Sequence, residues 1–140
     1  MAVHTESRAF GRMTVEGERR AALIEATTAL EVAIADFCRS PNGKYRYGAR
    51  VPRAEKSASN LLTEIGKTIM LQYVFPVLFE EEEFPGDLIK KCIDANTTRN
   101  NIIHNRQRDV APDEVEEYLT AIRDACTSLH AFTQAAPCSE

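Results

Sequence analysis

The stretch PDEVEEYLTAIRDACTSL, residues 112–129, admits one regular structure. Val115, Leu119, Ile122, Cys126 and Leu129 recur at three- and four-residue intervals. At about 100° per residue these positions share one face of an α-helix. Pro112 suits the first helical position, where a missing amide hydrogen costs nothing. Asp113, Glu114, Glu116 and Glu117 fill the first turns, where the helix dipole favours negative charge. A helix with one apolar face must bury that face against something else, so the segment requires neighbours.

The rest of the chain supplies them in the same form. From Glu16 to Arg39, Leu23, Thr27, Leu30, Ile34, Phe37 and Cys38 mark one face of a long helix, and SPNG at 40–43 reads as its terminating turn. A second helix is expected from about Pro52–Ala54, carrying Ala58, Leu61, Leu62, Ile65, Ile69 and Tyr73, with Pro76 ending or kinking it. A third should run from about Asp87 towards Arg106 and be broken by DVAPDE. Its NTT at 96–98 is built of poor helix formers, so a kink there, or a restart capped by Thr97 or Thr98, is an open alternative. No segment alternates as a half-buried strand does, and there is no internal repeat and no glycine-rich phosphate loop. The expected fold is an all-α, up-down bundle of four to five helices.

At 140 residues and 44% hydrophobic content, one domain can build its core without disulfide or metal staples. The expected organisation is an N-terminal arm at 1–15, a helical domain at 16–134 and a tail at 135–140. Cys38, Cys92, Cys126 and Cys138 are widely spaced and form no zinc-type pairs, and the first three read as reduced core residues. No run is long and apolar enough for a membrane span, and the first residues carry no apolar signal core, so a cytoplasmic protein without membrane contact is expected.

A net charge of −4 argues against bulk nucleic-acid binding, but the charge is unevenly placed. Residues 44–56, KYRYGARVPRAEK, read as a basic loop in which Lys44 and Arg46 alternate with Tyr45 and Tyr47. Such a loop can hold phosphates and stack unpaired bases, or simply be a solvated connection. EEEE at 80–83 reads as a solvated loop, because consecutive residues cannot converge on one ion.

The third helix carries the unusual chemistry, in TTRNNIIHNRQRD at 97–109. On the helical wheel Leu88, Ile89, Cys92, Ala95, Ile102 and Ile103 define an apolar arc with Arg99 near its middle. His104 lies at the arc's edge, about 140° from Arg99. An unpaired guanidinium in a core costs several kcal/mol, so Arg99 must meet an acid such as Asp94 or Glu64, line a wet cleft, or face a partner chain. Asn100 is four residues before His104 and is placed to fix the imidazole tautomer. A histidine can take the proton of a ribose 2′-hydroxyl or return one to the leaving oxygen, and an arginine can hold the phosphate and its growing charge. This chemistry needs no metal and no cofactor. Arg106 and Arg108 follow immediately and suit phosphates flanking a scissile bond. His4 and His130 read as solvated or structural.

Arg99, Asn100 and His104 together resemble the R-x4–6-H motif of HEPN domains, in the form with a polar residue directly after the arginine. The all-helical chain, with the motif late in the third main helix and a closing amphipathic helix, is similar to that family over residues 16–134. The resemblance implies a metal-independent endoribonuclease acting as a homodimer, with a composite site between protomers, that leaves 2′,3′-cyclic phosphate and 5′-hydroxyl ends. It implies a toxin or anti-phage effector, catalytic roles for Arg99 and His104, a supporting role for Asn100, an RNA substrate and an antitoxin or regulatory partner. HNRQRDV after the histidine departs from relatives that carry Tyr-x-Tyr there as a modification target for a nucleotidyltransferase antitoxin. The alternative is a non-catalytic HEPN-like module that binds RNA, a nucleotide or a partner protein.

Overall fold

The computed structural model describes residues 16–50, 66–104 and 110–135. The N-terminal arm, Leu61, Leu62, Glu64, Ile65, Arg106, Arg108 and Cys138 lie outside them. The described residues form helices joined by turns and short loops, with no strand among them. Helix α1 spans Glu16–Arg39 and α2 spans Pro41–Arg50. Helix α3 is composite: an α segment Lys67–Ile69, a π turn Met70–Val74 and a second α segment Phe75–Leu78. Helices α4, Gly86–Ile103, and α5, Pro112–Gln134, complete the bundle.

Helices α1 and α5 form the largest packed pair, and α4 lies against both. The stripe expected from spacing is the stripe that is buried: Leu23, Leu30, Ile34, Phe37 and Cys38 on α1, and Val115, Leu119, Ile122 and Leu129 on α5. Thr27, fully buried in the same row, satisfies its hydroxyl by donating to the Leu23 carbonyl at 3.0 Å. Cys92 of α4 lies beside Cys126 and Asp124 of α5, and Thr98 of α4 beside Tyr118, so these two helices run antiparallel. The bundle therefore has two ends. At one, Phe37, Phe75, Phe79, Phe84 and Phe132 pack ring against ring, with centroids 4.9–6.0 Å apart. At the other lie the C-terminus of α4 and the first turns of α5. No described helix is long and apolar enough to cross a membrane.

Residues 41–50 are a helix, which corrects the expectation of a basic loop there. SPNG starts a helix as well as ending one. Ser40 caps α2: its Oγ accepts the Gly43 amide at 3.0 Å, and its carbonyl accepts the Lys44 amide at 3.1 Å. Pro41 takes the first helical position. The two helices can turn so sharply because residue 43 is glycine. A Cβ there would sit 2.0 Å from the Phe37 carbonyl oxygen, inside any tolerable contact. Asn42, also buried, ties the corner to the end of α5 by donating to the Phe132 carbonyl at 2.9 Å.

Pro76 neither ends nor breaks α3 at its own position. The preceding turn widens instead, and the Phe75 amide bonds the Met70 carbonyl five residues back. That widening gives the proline ring room where a regular turn would clash, and the helix continues to Leu78. Helix α4 is unbroken through NTT, because Asn96 and Thr98 have tertiary roles there: both are buried, and Asn96 Nδ2 donates to Thr68 Oγ1 at 3.0 Å. It stops at Ile103, short of the expected Arg106.

Candidate active site at the end of the fourth helix

Arg99 lies on the core-facing row of α4 that buries Ile89, Cys92, Ala95 and Asn96, but near the helix end, where it is half-buried. Its Nη1 donates to Asn100 Oδ1 at 3.1 Å, and its Nε is buried with no hydrogen-bond partner. Of the two acids proposed for it from sequence, Asp94 is held instead by Lys90 at 3.2 Å, and Glu64 lies outside the described residues. Among the described residues Arg99 makes no ion pair. A guanidinium that is desolvated in part and, among the described residues, meets a neutral carboxamide and no acid is an uncommon use of an arginine.

His104 is the C-cap of α4. Its backbone N–H bonds the Asn100 carbonyl at 3.0 Å, and its φ of −89° and ψ of 13° fall in the sparsely populated bridge region. The side chain is exposed. The expected bond between the Asn100 carboxamide and the imidazole is corrected: Asn100 turns to the adjacent arginine, since a cation beside it outcompetes a neutral ring for its oxygen. The link from Asn100 to His104 is through the backbone alone. Arg99, Asn100 and His104 thus occupy one helix end, with the first two in contact and the third projecting into solvent.

The tyrosine–basic segment is distributed differently. Lys44 is exposed, Tyr45 is half-buried, and Tyr47 packs against the core. Arg46 is committed to the fold. It forms a two-pronged pair with Glu83, at 3.0 and 2.8 Å, donates to the Leu78 carbonyl at 3.1 Å, and covers the rings of Phe79 and Phe132 at 5.1 and 4.8 Å. Arg50 reaches Glu80 at 3.2 Å. EEEE is accordingly more than a solvated loop: Glu83 and Glu80 hold α2, and Glu81 accepts the Gly86 amide at the start of α4. The Arg46 hydrogen bonds hold the Glu83 carboxyl below its usual range, helped by the Glu80 amide and opposed by partial burial.

Sequence reasoning passed over Tyr118. It is half-buried at the α4–α5 seam, close to Thr98 and so beside the motif, and its hydroxyl donates to Glu114 at 2.8 Å. Burial raises its phenol above the usual range, against a hydrogen bond with Thr98 that lowers it. The available signal was the Glu114–Tyr118 spacing of one helical turn. The three described cysteines, Cys38, Cys92 and Cys126, are not placed as nucleophiles. Burial pushes Cys38 and Cys92 up to about 12 and Cys126 up to about 11, so all three stay protonated, as expected for core thiols. Among the described residues no cluster of histidine, cysteine and carboxylate side chains is placed to hold a metal. No family model, curated protein or solved structure matches the chain.

Proposed function

We propose that this chain is a metal-independent endoribonuclease of HEPN type, a toxin or anti-phage defence effector. His104 moves the proton of the ribose 2′-hydroxyl or of the leaving 5′-oxygen, and Arg99 stabilises the phosphate. The observation that carries the reading is Arg99 itself: it is half-buried, without an acidic partner among the described residues, and one turn from an exposed histidine. A structural arginine in this chain looks like Arg46, with every face occupied.

In the reaction, the deprotonated 2′-oxygen attacks phosphorus, the bond to the 5′-oxygen breaks, and a proton returns to that oxygen. The products are a 2′,3′-cyclic phosphate and a 5′-hydroxyl. Arg99 and His104 diverge on α4, so one phosphate meets both in a cleft shared by two copies of the chain. Arg106 and Arg108, which follow His104 in the sequence, would supply further phosphate contacts, whereas Lys44 lies on α2 at the opposite end of the bundle.

The test is RNA cleavage in the presence of EDTA. Wild type should leave cyclic phosphate ends, and His104→Ala or Arg99→Ala should lower the rate by on the order of 10²-fold or more. Expression of wild type should arrest growth and His104→Ala should not. Undiminished cleavage by cleanly prepared His104→Ala protein would sink the assignment. One observation favours the non-catalytic module instead: among the described residues no side chain orients the His104 imidazole. That reading predicts saturable RNA binding with no product at any RNA excess.

A further inference from the structure

Helix α4 leaves two buried side-chain atoms without a hydrogen-bond partner among the described residues, Asn96 Oδ1 and Arg99 Nε. One is an acceptor and the other a donor. They belong to residues three apart, which are neighbours on one helix face with Cβ atoms about 5–6 Å apart. Side chains on a helix lean towards its N-terminus, so a long side chain at 99 is directed over the turn that holds Asn96. The contact that Arg99 makes is with Asn100 instead, about 100° away around the helix.

Asn96 is costly where it stands. Asparagine is a poor helix former, and this one is only 5% exposed in the middle of α4. Thr68 accounts for its Nδ2 edge and nothing accounts for its Oδ1 edge, so the residue pays for burial without full satisfaction. Hydration explains why Arg99 rests on Asn100. Asn100 is exposed, so a guanidinium held there keeps water on its Nη atoms, which a bare cation drawn back against Asn96 would lose. An anion on the two Nη atoms removes that penalty and leaves Nε to find an acceptor.

We propose that Asn96 is a positioning residue for Arg99: when a phosphate takes the Nη fork, Nε–H donates to Asn96 Oδ1 and the guanidinium leaves Asn100. The two unpaired atoms then satisfy each other. The same movement frees the Asn100 carboxamide, whose neighbour one turn on is His104, exposed and without an orienting side chain among the described residues. Phosphate binding thereby aims the fork and supplies the imidazole with a partner. The exchange is a property of α4 and a phosphate group. Its value in catalysis rests on the ribonuclease reading.

NMR of the Arg99 Nε–H in the full chain, titrated with inorganic phosphate, tests it. The signal is assigned by its loss in Arg99→Lys. In wild type, phosphate should shift the signal and slow its exchange with water by about tenfold, the factor for one ordinary hydrogen bond. Asn96→Ala should lose that response while still binding phosphate. Asn96→Asp keeps an acceptor and adds a charge, so it should show the slowed Nε–H before phosphate is added. In RNA cleavage, Asn96→Ala should lower kcat roughly tenfold and change KM less than about threefold, because the fork still binds but is no longer aimed. Ile89→Ala, at a buried position of the same helix, should lower the melting temperature and leave kcat unchanged, which separates aim from stability. An Nε–H indifferent to phosphate in wild type, or equally responsive in Asn96→Ala, overturns the proposal. So does an Asn96→Asp protein whose Nε–H matches that of phosphate-free wild type. The expected NMR response in a protein that cleaves no RNA upholds the pairing and removes the ribonuclease reading.

Discussion

Two arginines, at opposite ends of the bundle, are used in opposite ways. Arg46 has a carboxylate on both prongs, a carbonyl on one of them and two aromatic rings against its face. Among the described residues Arg99 has one neutral carboxamide and a buried Nε with no partner. Both guanidinium groups are partly desolvated, so the contrast is in what repays that cost. At the aromatic end the repayment is internal, and the polar groups close α2 onto the loop before α4. At the motif end it is incomplete within the described chain. Incomplete satisfaction of this kind marks places where the missing partner is a ligand, a reacting group or another subunit.

The comparison breaks most severely at the corner that positions Arg46. Gly43→Ala places a methyl group 2.0 Å from the Phe37 carbonyl, a backbone atom that cannot swing away. The expected loss exceeds about 3 kcal/mol, and chemical denaturation would show it as a lowered midpoint. A loss under about 1 kcal/mol would mean that the α1–α2 corner is softer than drawn and that Arg46 is not set by it. The next largest effect is at the clamp itself. Glu83→Gln keeps the shape but removes the charge, leaving a largely buried guanidinium short of its anion, at a cost of about 1–3 kcal/mol. Arg46→Met, which removes the cation and keeps the contact with Phe79 and Phe132, should cost no more than that.

How these features were or were not legible in the sequence follows from their range. Val115 through Leu129 declared α5 because periodicity is local, and the same holds for α1. Cys38 and Cys92 were legible as core residues for the same reason, and Cys126 as a partly buried one. SPNG was ambiguous: Ser40 and Pro41 can end one helix or begin another, and the choice depends on Gly43 touching Phe37 in space. The Arg46–Glu83 pair spans 37 residues, so neither a basic loop nor four glutamates could be read as each other's partners. At the motif, the wheel placed Arg99 on the core-facing row correctly. Spacing proposed Asn100 for His104, but the adjacent cation took the carboxamide, a rotamer-level outcome that no periodicity encodes. Ile69 and Tyr73, expected on the apolar row of the second helix, are 54 and 65% exposed, because the row that packs inward on α3 is Met70, Leu71, Phe75 and Leu78.

Acid should erode the clamp only at the low end of the carboxylate range. The Glu83 carboxyl is held below its usual 4.5, chiefly by the Arg46 hydrogen bonds. A lowered folded-state value means that the unfolded chain binds the proton first as pH falls. The contribution of the pair is therefore complete above about 4.5 and is lost as pH drops through the lower, folded-state value. Urea midpoints of wild type and Glu83→Gln should differ by a constant amount from neutral pH down to that range and converge below it. A gap that closed well above the carboxylate range would assign the pH dependence to another group.

The smallest expected effect on stability is the most informative. If Arg99 is held for function, Arg99→Met removes a buried, unsatisfied donor and keeps the aliphatic stem. The melting temperature should then stay within the equivalent of about 0.5 kcal/mol of wild type, or rise. Cleavage of RNA should fall with it, which separates a cost to activity from a cost to folding. The opposite result, a loss above about 1.5 kcal/mol with cleavage unchanged, would place Arg99 in the same class as Arg46. His104→Ala completes the test, because its exposed side chain contributes little to folding. A pair of substitutions that leave the fold intact, each removing activity, is the pattern that an unsatisfied active-site end produces and a structural ion pair does not.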